Sequence, residues 1–434
     1  MQLVNRFSKT IVWTLAILPG LIALTHFTGT DFSTPGSLLN ILGRLTGIWG
    51  LSFLLVAAIL CCRVPGFDQP FGGLTKLWSL HHRLGALSFL LLLAHPVLLA
   101  LAATEISLAA AVATLFSTQS SIIWGWLALL ALMVFMAPTF DFFGQPEYQH
   151  WKWLHRLSGM TVLFALIHAL MLNRSLPISI WALLAFLAVA AISYRWLFSR
   201  WHGQKNYRVN RIEHPANNVV ELSLEPVDHL LDYAPGQFVY LTAYDSALTN
   251  GRGEDHPYTL TSAPDEPALR IAIKALGDAS HAIQSIALNS KVKVEGPYGR
   301  FFPDSASAPE PEPELWIAGG IGISPFLGRL RHCAKHHTKL NAHLIYCVQD
   351  EARLLFGEEL SRLMRSLPES RLHVHFFYKE GPLNREFIET HCPDFVRRKA
   401  YLCGPIPLTN TSRALLIQGG VAPKHIVTEE FNLL

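Results

Sequence analysis

The sequence predicts a multidomain chain: a six-helix transmembrane bundle, then a small antiparallel β-barrel, then an α/β domain built on a parallel sheet. Three observations predict it. Hydrophobic residues make up 50% of the 434 positions and charged residues only 15%, too apolar a balance for an ordinary soluble chain. The long apolar runs all fall before about residue 200. From about residue 203 onward the pattern changes to short strands, first separated by turns and then alternating with helices, the order of a barrel followed by a parallel sheet.

Six apolar segments, approximately 10–27, 38–61, 78–102, 121–138, 154–172 and 177–198, approach the roughly 20 residues that a helix needs to cross about 30 Å of hydrocarbon. The apolar segment 107–116 is shorter and suits an interfacial or re-entrant piece. Arg6 and Lys9 precede the first segment as in a signal peptide, but no small-residue cleavage site follows, so the helix is expected to be retained. With the N-terminus inside, Arg6, Lys9, Arg63, Lys76, Lys152, Arg195, Arg200 and Lys205 share one side, and the other holds Asp31, Glu105 and Arg174. Lysine and arginine mark the cytoplasmic side of short loops. A multi-pass protein of the cell membrane follows, with its N-terminus and soluble half in the cytoplasm. The net charge of +3 gives no reason to expect nucleic acid binding. The six cysteines form no C-x-x-C pair and no iron–sulfur spacing, so disulfides are not expected.

Ionisable groups are costly inside a bilayer, yet the third segment holds His81, His82 and His95, and the fifth holds His155 and His168. His81 to His95 spans 14 residues and His155 to His168 spans 13, rises of roughly 21 and 20 Å on a helix. Both segments run in the same direction, so the two levels match. One iron takes two axial imidazoles from facing helices at one depth. Two b-type haems are therefore expected, His81 with His155 at the inner level and His95 with His168 at the outer. His82 competes with His81, but fourteen residues return a helix to within about 40° of one face, which favours His81. Thirteen residues leave His155 and His168 roughly 140° apart, so a tilt or bulge near Ser158-Gly159 is required. Arg44, inside the second segment on the outer side, suits an outer-haem propionate, with snorkelling to headgroups as the alternative.

In the soluble half, strand-like segments 206–225, 238–244, 256–262, 268–276 and 291–297 suit the barrel. A proline-rich acidic stretch, Pro303 to Glu314, ends it. Strands at 315–319, 342–349, 372–378 and 399–403 follow. Domain limits of 1–202, 203–305 and 313–434 result. Within the barrel, His256-Pro257-Tyr258-Thr259-Leu260-Thr261-Ser262 offers a flat aromatic for an isoalloxazine, hydroxyls at Thr259, Thr261 and Ser262, and a histidine for a pyrophosphate. Lys274, Gly277 and Ser280 stand before a short helix, an arrangement that suits a diphosphate. Gly319-Gly320-Ile321-Gly322-Ile323-Ser324-Pro325 lies directly between a strand and a helical pattern, where glycines allow phosphate to approach closely. Cys403-Gly404-Pro405 follows the last of the four strands.

Together these motifs resemble the ferredoxin–NADP reductase superfamily fused to a ferric-reductase transmembrane domain, the architecture of ferric-chelate reductases and NADPH oxidases. The resemblance covers nearly the whole chain. It implies FAD at the 256–262 motif, NAD(P)H at Gly319 to Pro325 and at Cys403 to Pro405, and haem iron ligands at His81, His95, His155 and His168. It also implies an aromatic that covers the flavin near the C-terminus, where Phe431 stands, and it places Arg44 beside the outer haem. Oxidases of the animal type carry a histidine one turn beyond the outer ligand, where this chain has Leu99. The implied activity is electron transfer from NAD(P)H through FAD and two haems to a ferric chelate. Dioxygen, reduced to superoxide, is the alternative acceptor, and relay to a periplasmic protein partner is a third reading. Asp350 and Arg353 follow the second strand of the α/β domain, the acid suiting NADH and the arginine NADPH; the resemblance favours NADPH.

Overall fold

The computed structural model describes residues 2–139, 148–172, 176–198, 201, 203–302 and 312–429. They form two compact units, one holding the described residues up to 63 and from 76 to 197, the other those from 64 to 75 and from 198 to 429.

The first unit is helical: α1 Gln2–Leu24, α2 Pro35–Leu60, α3 Leu74–Ala103, α4 Leu108–Leu115, α5 Ser120–Met136, α6 Tyr148–His155, α7 Ser158–Leu172 and α8 Ile178–Phe198. Six stretches are long and apolar enough to cross a membrane, including one that runs through α6 and α7. They coincide with the six apolar segments of the sequence, and the chain is a multi-pass membrane protein. Segment 107–116 forms the short α4, its first turn capped by the Ser107 hydroxyl accepting from the Ala110 amide. Pro35 opens α2 where its missing N–H costs nothing, behind Thr34, which accepts from the Ser37 amide. Along α2, Gly43, Gly47 and Gly50 form a stripe against α3: a Cβ there would come within 2.8 Å of Leu99, 2.7 Å of His95 and 2.6 Å of Leu92. Small residues bring the two backbones together, as helix packing in lipid favours.

The second unit begins with a six-stranded antiparallel sheet in the order β4-β3-β6-β1-β2-β5. Its strands are β1 Gln204–Ala216, β2 Val219–Pro226, β3 Phe238–Ala243, β4 Asp255–Thr259, β5 Leu269–Lys274 and β6 Lys291–Tyr298. A bridge between Leu260 and Ile271 joins the two ends of the sheet, curling it into the expected barrel. Segment 206–225, expected as one strand, is a hairpin whose turn is Asn217-Asn218. Paired asparagines favour the tight hairpin turn, and the alternating pattern on both sides concealed it. The core of the curled sheet is apolar, centred on Tyr207, Val220, Leu222, Val239, Ile271 and Val294.

A five-stranded parallel sheet follows, in the order β11-β10-β7-β8-β9. Its strands are β7 Glu314–Gly319, β8 Ala342–Val348, β9 Arg371–Phe376, β10 Lys399–Cys403 and β11 Ile426–Glu429. The helices of this unit are α9 Asp278–Ala282, α10 Ser324–His336, α11 Gly357–Arg365, α12 Phe377–Glu380, α13 Arg385–His391 and α14 Ile406–Gln418. The four expected strands are present, and β11 adds a fifth beside β10. Its four residues are too short to show periodicity. Arg331 of α10 ties the two sheets together: it bonds Glu221 of β2 at 2.9 Å, the Thr261 carbonyl at 2.9 Å and Glu359 of α11 at 2.8 Å. All three bonds are charge-assisted, and those to Glu221 and Thr261 are shielded from water.

Candidate functional site

Two histidine pairs meet inside the helical unit. The ring centres of His81 and His155 are 6.1 Å apart, and those of His95 and His168 are 6.2 Å apart. Both spacings would leave room for one metal ion between the facing imidazoles. Hydrogen bonding fixes the tautomers. Nδ1 of His81 donates to the Ala57 carbonyl at 2.8 Å, that of His95 to Gly43 at 2.6 Å, and that of His168 to Ser121 at 2.7 Å. An Nδ1–H so engaged leaves the Nε2 lone pair for a metal, the carbonyl acting as outer-shell partner. His155 is held instead by its rings, stacked on Trp151 at 4.9 Å and edge-on to Phe135 at 5.3 Å. These residues would fit two haem irons, one held by each pair.

The rotation that thirteen residues could not supply comes from a break in the helix. α6 ends at His155 and α7 begins at Ser158. Between them the amides of Arg156, Leu157 and Gly159 bond three residues back rather than four, turning the chain more tightly. Room for the rings comes from glycines: a Cβ at Gly47 would lie 2.7 Å from His95, and one at Gly125 2.8 Å from His168. A cavity lined by His95, Pro96, Leu99, Gly125, Trp126 and His168 opens at the second pair. Arg44 lies next to Gly43, the acceptor of His95, and its guanidinium stands 4.8 Å from the Phe27 ring.

In the second unit a cavity of about 900 Å³ separates the curled sheet from the parallel one, a size suited to cofactors. Pro257, Tyr258, Thr259 and Lys274 line one side; Gly319, Gly320, Gly322, Ser324, Pro325, Cys403, Gly404 and Pro405 line the other. The glycines act first on each other. A Cβ at Gly322 would fall 2.3 Å from the Cys403 carbonyl, and one at Gly404 3.0 Å from the Gly319 backbone, so the two loops pack backbone to backbone. Gly320 has φ +53° and open space beside it, leaving its backbone free towards a ligand. Replacing Gly322 with alanine is expected to raise the KM for NAD(P)H at least tenfold while FAD is retained, measured by steady-state kinetics with a soluble acceptor.

Several expected flavin contacts lie elsewhere. Thr261 and Ser262 are fully buried. Thr261 donates to Glu221 at 2.5 Å, and the Ser262 hydroxyl pairs with Tyr233 at 2.6 Å and accepts from the Arg270 amide. Their side chains brace the wall of the site through these bonds. The Ser280 hydroxyl accepts from the amides of Leu276 and Gly277, occupying donors that a diphosphate would use. His256 pairs with Glu254 at 3.1 Å. Phe431 lies outside the described residues.

Sequence reasoning missed Glu429. It is 5% exposed and its Oε2 has no hydrogen-bond partner among the described residues. It is in register with Cys403 across β10 and β11. Burial pushes its carboxyl up to about 8, and burial likewise raises the Cys403 thiol, so both are neutral at pH 7. The signal lay in the position: an acid at the end of a strand that four residues could not announce. The native state keeps a proton that the unfolded chain loses above the ordinary value of 4.5. The stability contributed by the neutral acid is therefore full below that value and lost as pH rises through about 8. Wild-type melting temperature is expected to fall over this window, and Glu429→Gln to flatten the profile.

Comparison with known proteins decides the class. Residues 316–414 match the oxidoreductase NAD-binding domain, 204–301 an FAD-binding domain, and 46–167 the ferric reductase like transmembrane component. The chain is a ferric-reductase-like membrane domain fused to an FAD- and NAD-binding reductase. This ferric-reductase-like chain thus carries an oxidoreductase NAD-binding domain beside an FAD-binding domain. It is 24% identical over 216 residues to the glycine betaine monooxygenase reductase subunit of Chromohalobacter salexigens, covering 46% of this chain and 57% of that protein. It is 25% identical over 252 residues to the flavohemoprotein of Bordetella pertussis, covering 53% and 61%. The flavoprotein thus spans about three-fifths of the length of these relatives. The flavohemoglobin of Malassezia yamatoensis, solved with FAD and heme, shares the fold at a TM-score of 0.51 and 17% identity, over 91% of this chain and 97% of that one.

Proposed function

We propose that this flavoprotein carries electrons from cytoplasmic NAD(P)H through FAD and two b-type haems to an acceptor on the outer side of the membrane, with a ferric chelate as the leading acceptor. The observation that carries the reading is the pair of histidine levels, each with ring centres about 6 Å apart and three of the four rings held by carbonyls. His81 and His155 would hold the inner haem, His95 and His168 the outer one, and Arg44 would meet a propionate. FAD, when bound, converts a two-electron hydride donor into single-electron steps that haem accepts. The chain's own residues orient the two cofactors. Tyr258 and Thr259 face the flavin side of the cavity, the Gly319–Pro325 turn holds the nucleotide phosphates, and Cys403 to Pro405 line the cavity opposite the flavin side. Lysine and arginine placement supports the orientation, and the limits 1–202, 203–305 and 313–434 follow as domains.

Leu99 favours a chelate over dioxygen. It lines the outer cavity and packs against Gly43, so the turn above His95 offers no polar side chain to bound dioxygen. A periplasmic redox partner would need only an accessible haem edge. Detergent-purified protein assayed anaerobically with ferric citrate, and aerobically for superoxide, separates the readings: superoxide formed faster than ferrous iron would sink the chelate reading.

Nucleotide choice turns on Arg353. Its guanidinium forms an ion pair with Asp350 and stands 5.8 Å from the ring of Tyr378, which lines the cavity. Arg353→Ala is expected to lower kcat/KM for NADPH about tenfold, the worth of one charge-assisted contact, and to leave that for NADH unchanged.

A further inference from the structure

The reductase unit holds a second group of ligand-bearing side chains, none of which lines the nucleotide cavity. His332 and His336 are four residues apart on α10, so their imidazoles share one helix face, with ring centres 4.6 Å apart. Asp265, from the loop between β4 and β5, reaches the same face. Its carboxylate oxygens stand 3.1 Å from His336 Nε2 and 3.9 Å from His332 Nδ1. One ligand atom from each of the three residues lies within 4.8 Å of the others. His332 Nδ1 is itself buried and has no hydrogen-bond partner among the described residues, so its bonding capacity is unspent at the centre of the cluster.

We propose that Asp265, His332 and His336 form a site for a divalent transition-metal ion that ties the flavin domain to the nucleotide domain. Two imidazoles and one carboxylate are a borderline set that suits zinc, cobalt or nickel, whereas calcium and magnesium take oxygen ligands. Three protein ligands leave one position of a tetrahedral ion for water. Lys335 is the competitor. Its ammonium sits 2.5 Å from the same Asp265 carboxylate, in a pair whose side chains are 49% and 36% exposed. Such exposed pairs are weak, so a dication with two imidazoles to offer it displaces the lysine.

Position gives the site its consequence. α10 begins immediately after the Gly319–Ile323 turn, and Ser324 and Pro325 at its start line the cavity. Asp265 stands three residues after Ser262 in the braced wall of the flavin side. An ion held by both would couple the two walls between which the nucleotide binds.

The test is equilibrium dialysis of the chelator-stripped, full-length, FAD-loaded protein against Zn²⁺, with elemental analysis. Flavin content and NAD(P)H-to-flavin electron transfer report that each variant is folded. The wild type should bind a zinc ion that the His332→Ala/His336→Ala double variant and Asp265→Asn bind roughly 100-fold more weakly, at least the loss seen when a mere outer-shell partner is removed. Lys335→Ala should bind it more tightly, because the competing ammonium is gone. Equal zinc binding by the wild type and the double variant, no binding at millimolar free zinc, or weaker binding by Lys335→Ala would each overturn the proposal.

Discussion

Replacing His95 or His168 with alanine is expected to remove the outer haem, taking haem content from two per chain to one, and to cut NAD(P)H-driven reduction of an external acceptor by roughly two orders of magnitude or more. Reduction of bound flavin should continue at its usual rate, because the nucleotide cavity belongs to the other compact unit. The size of the effect follows from the geometry: the two rings face each other at 6.2 Å and each is oriented by a backbone carbonyl. A bulkier side chain at Gly47 or Gly125 should act the same way. A Cβ at either position already falls within 2.8 Å of a histidine ring, so Gly125→Leu should lose the outer haem without touching a ligand. Haem content by difference spectroscopy, with flavin content as the control, measures both.

The second large effect is on stability. Arg331→Met is expected to destabilise the reductase unit by about 3 to 5 kcal/mol, because breaking a buried pair leaves a charge without compensation. Glu221 is 2% exposed and relies on Arg331 and on Arg270 at 3.9 Å. In a unit of this size the loss corresponds to a fall of about 10 °C in melting temperature. Adding Glu221→Gln to the variant should recover part of it, since a buried carboxylate left with only Thr261 and the more distant Arg270 is the source of the cost. Glu359 is the more exposed partner, with its side chain 22% accessible, and its replacement alone should cost less.

Much of this was legible in the sequence, for physical reasons. Histidines inside apolar segments are conspicuous because lipid makes them costly, and their matched separations led to the pairing expected here and demanded a departure from regular helix near Ser158. The departure is there, as the tight turn at Arg156-Leu157. The Gly319–Pro325 turn was legible because a strand, a glycine run and a helix occur in that order. Other features depend on distance in space and left no local trace. Ala57, Gly43 and Ser121 accept from the histidines through backbone carbonyls, which any residue offers. Thr261 and Ser262 look like ligand-binding hydroxyls until Glu221 and Tyr233, far off in sequence, are seen to hold them. Ser280 looks like a phosphate ligand until its hydroxyl is found capping its own turn. Glu429 showed no pattern because a four-residue strand has no period.

The most direct test of a transmembrane electron path is an optical spectrum of detergent-purified, FAD-loaded protein before and after anaerobic addition of NADPH or NADH. Reduced b-type haem bands for two haems are expected in the wild type, and for a single haem in His95→Ala and His168→Ala. Protein that reduces its flavin but shows no haem, or haem that stays oxidised, would contradict that path.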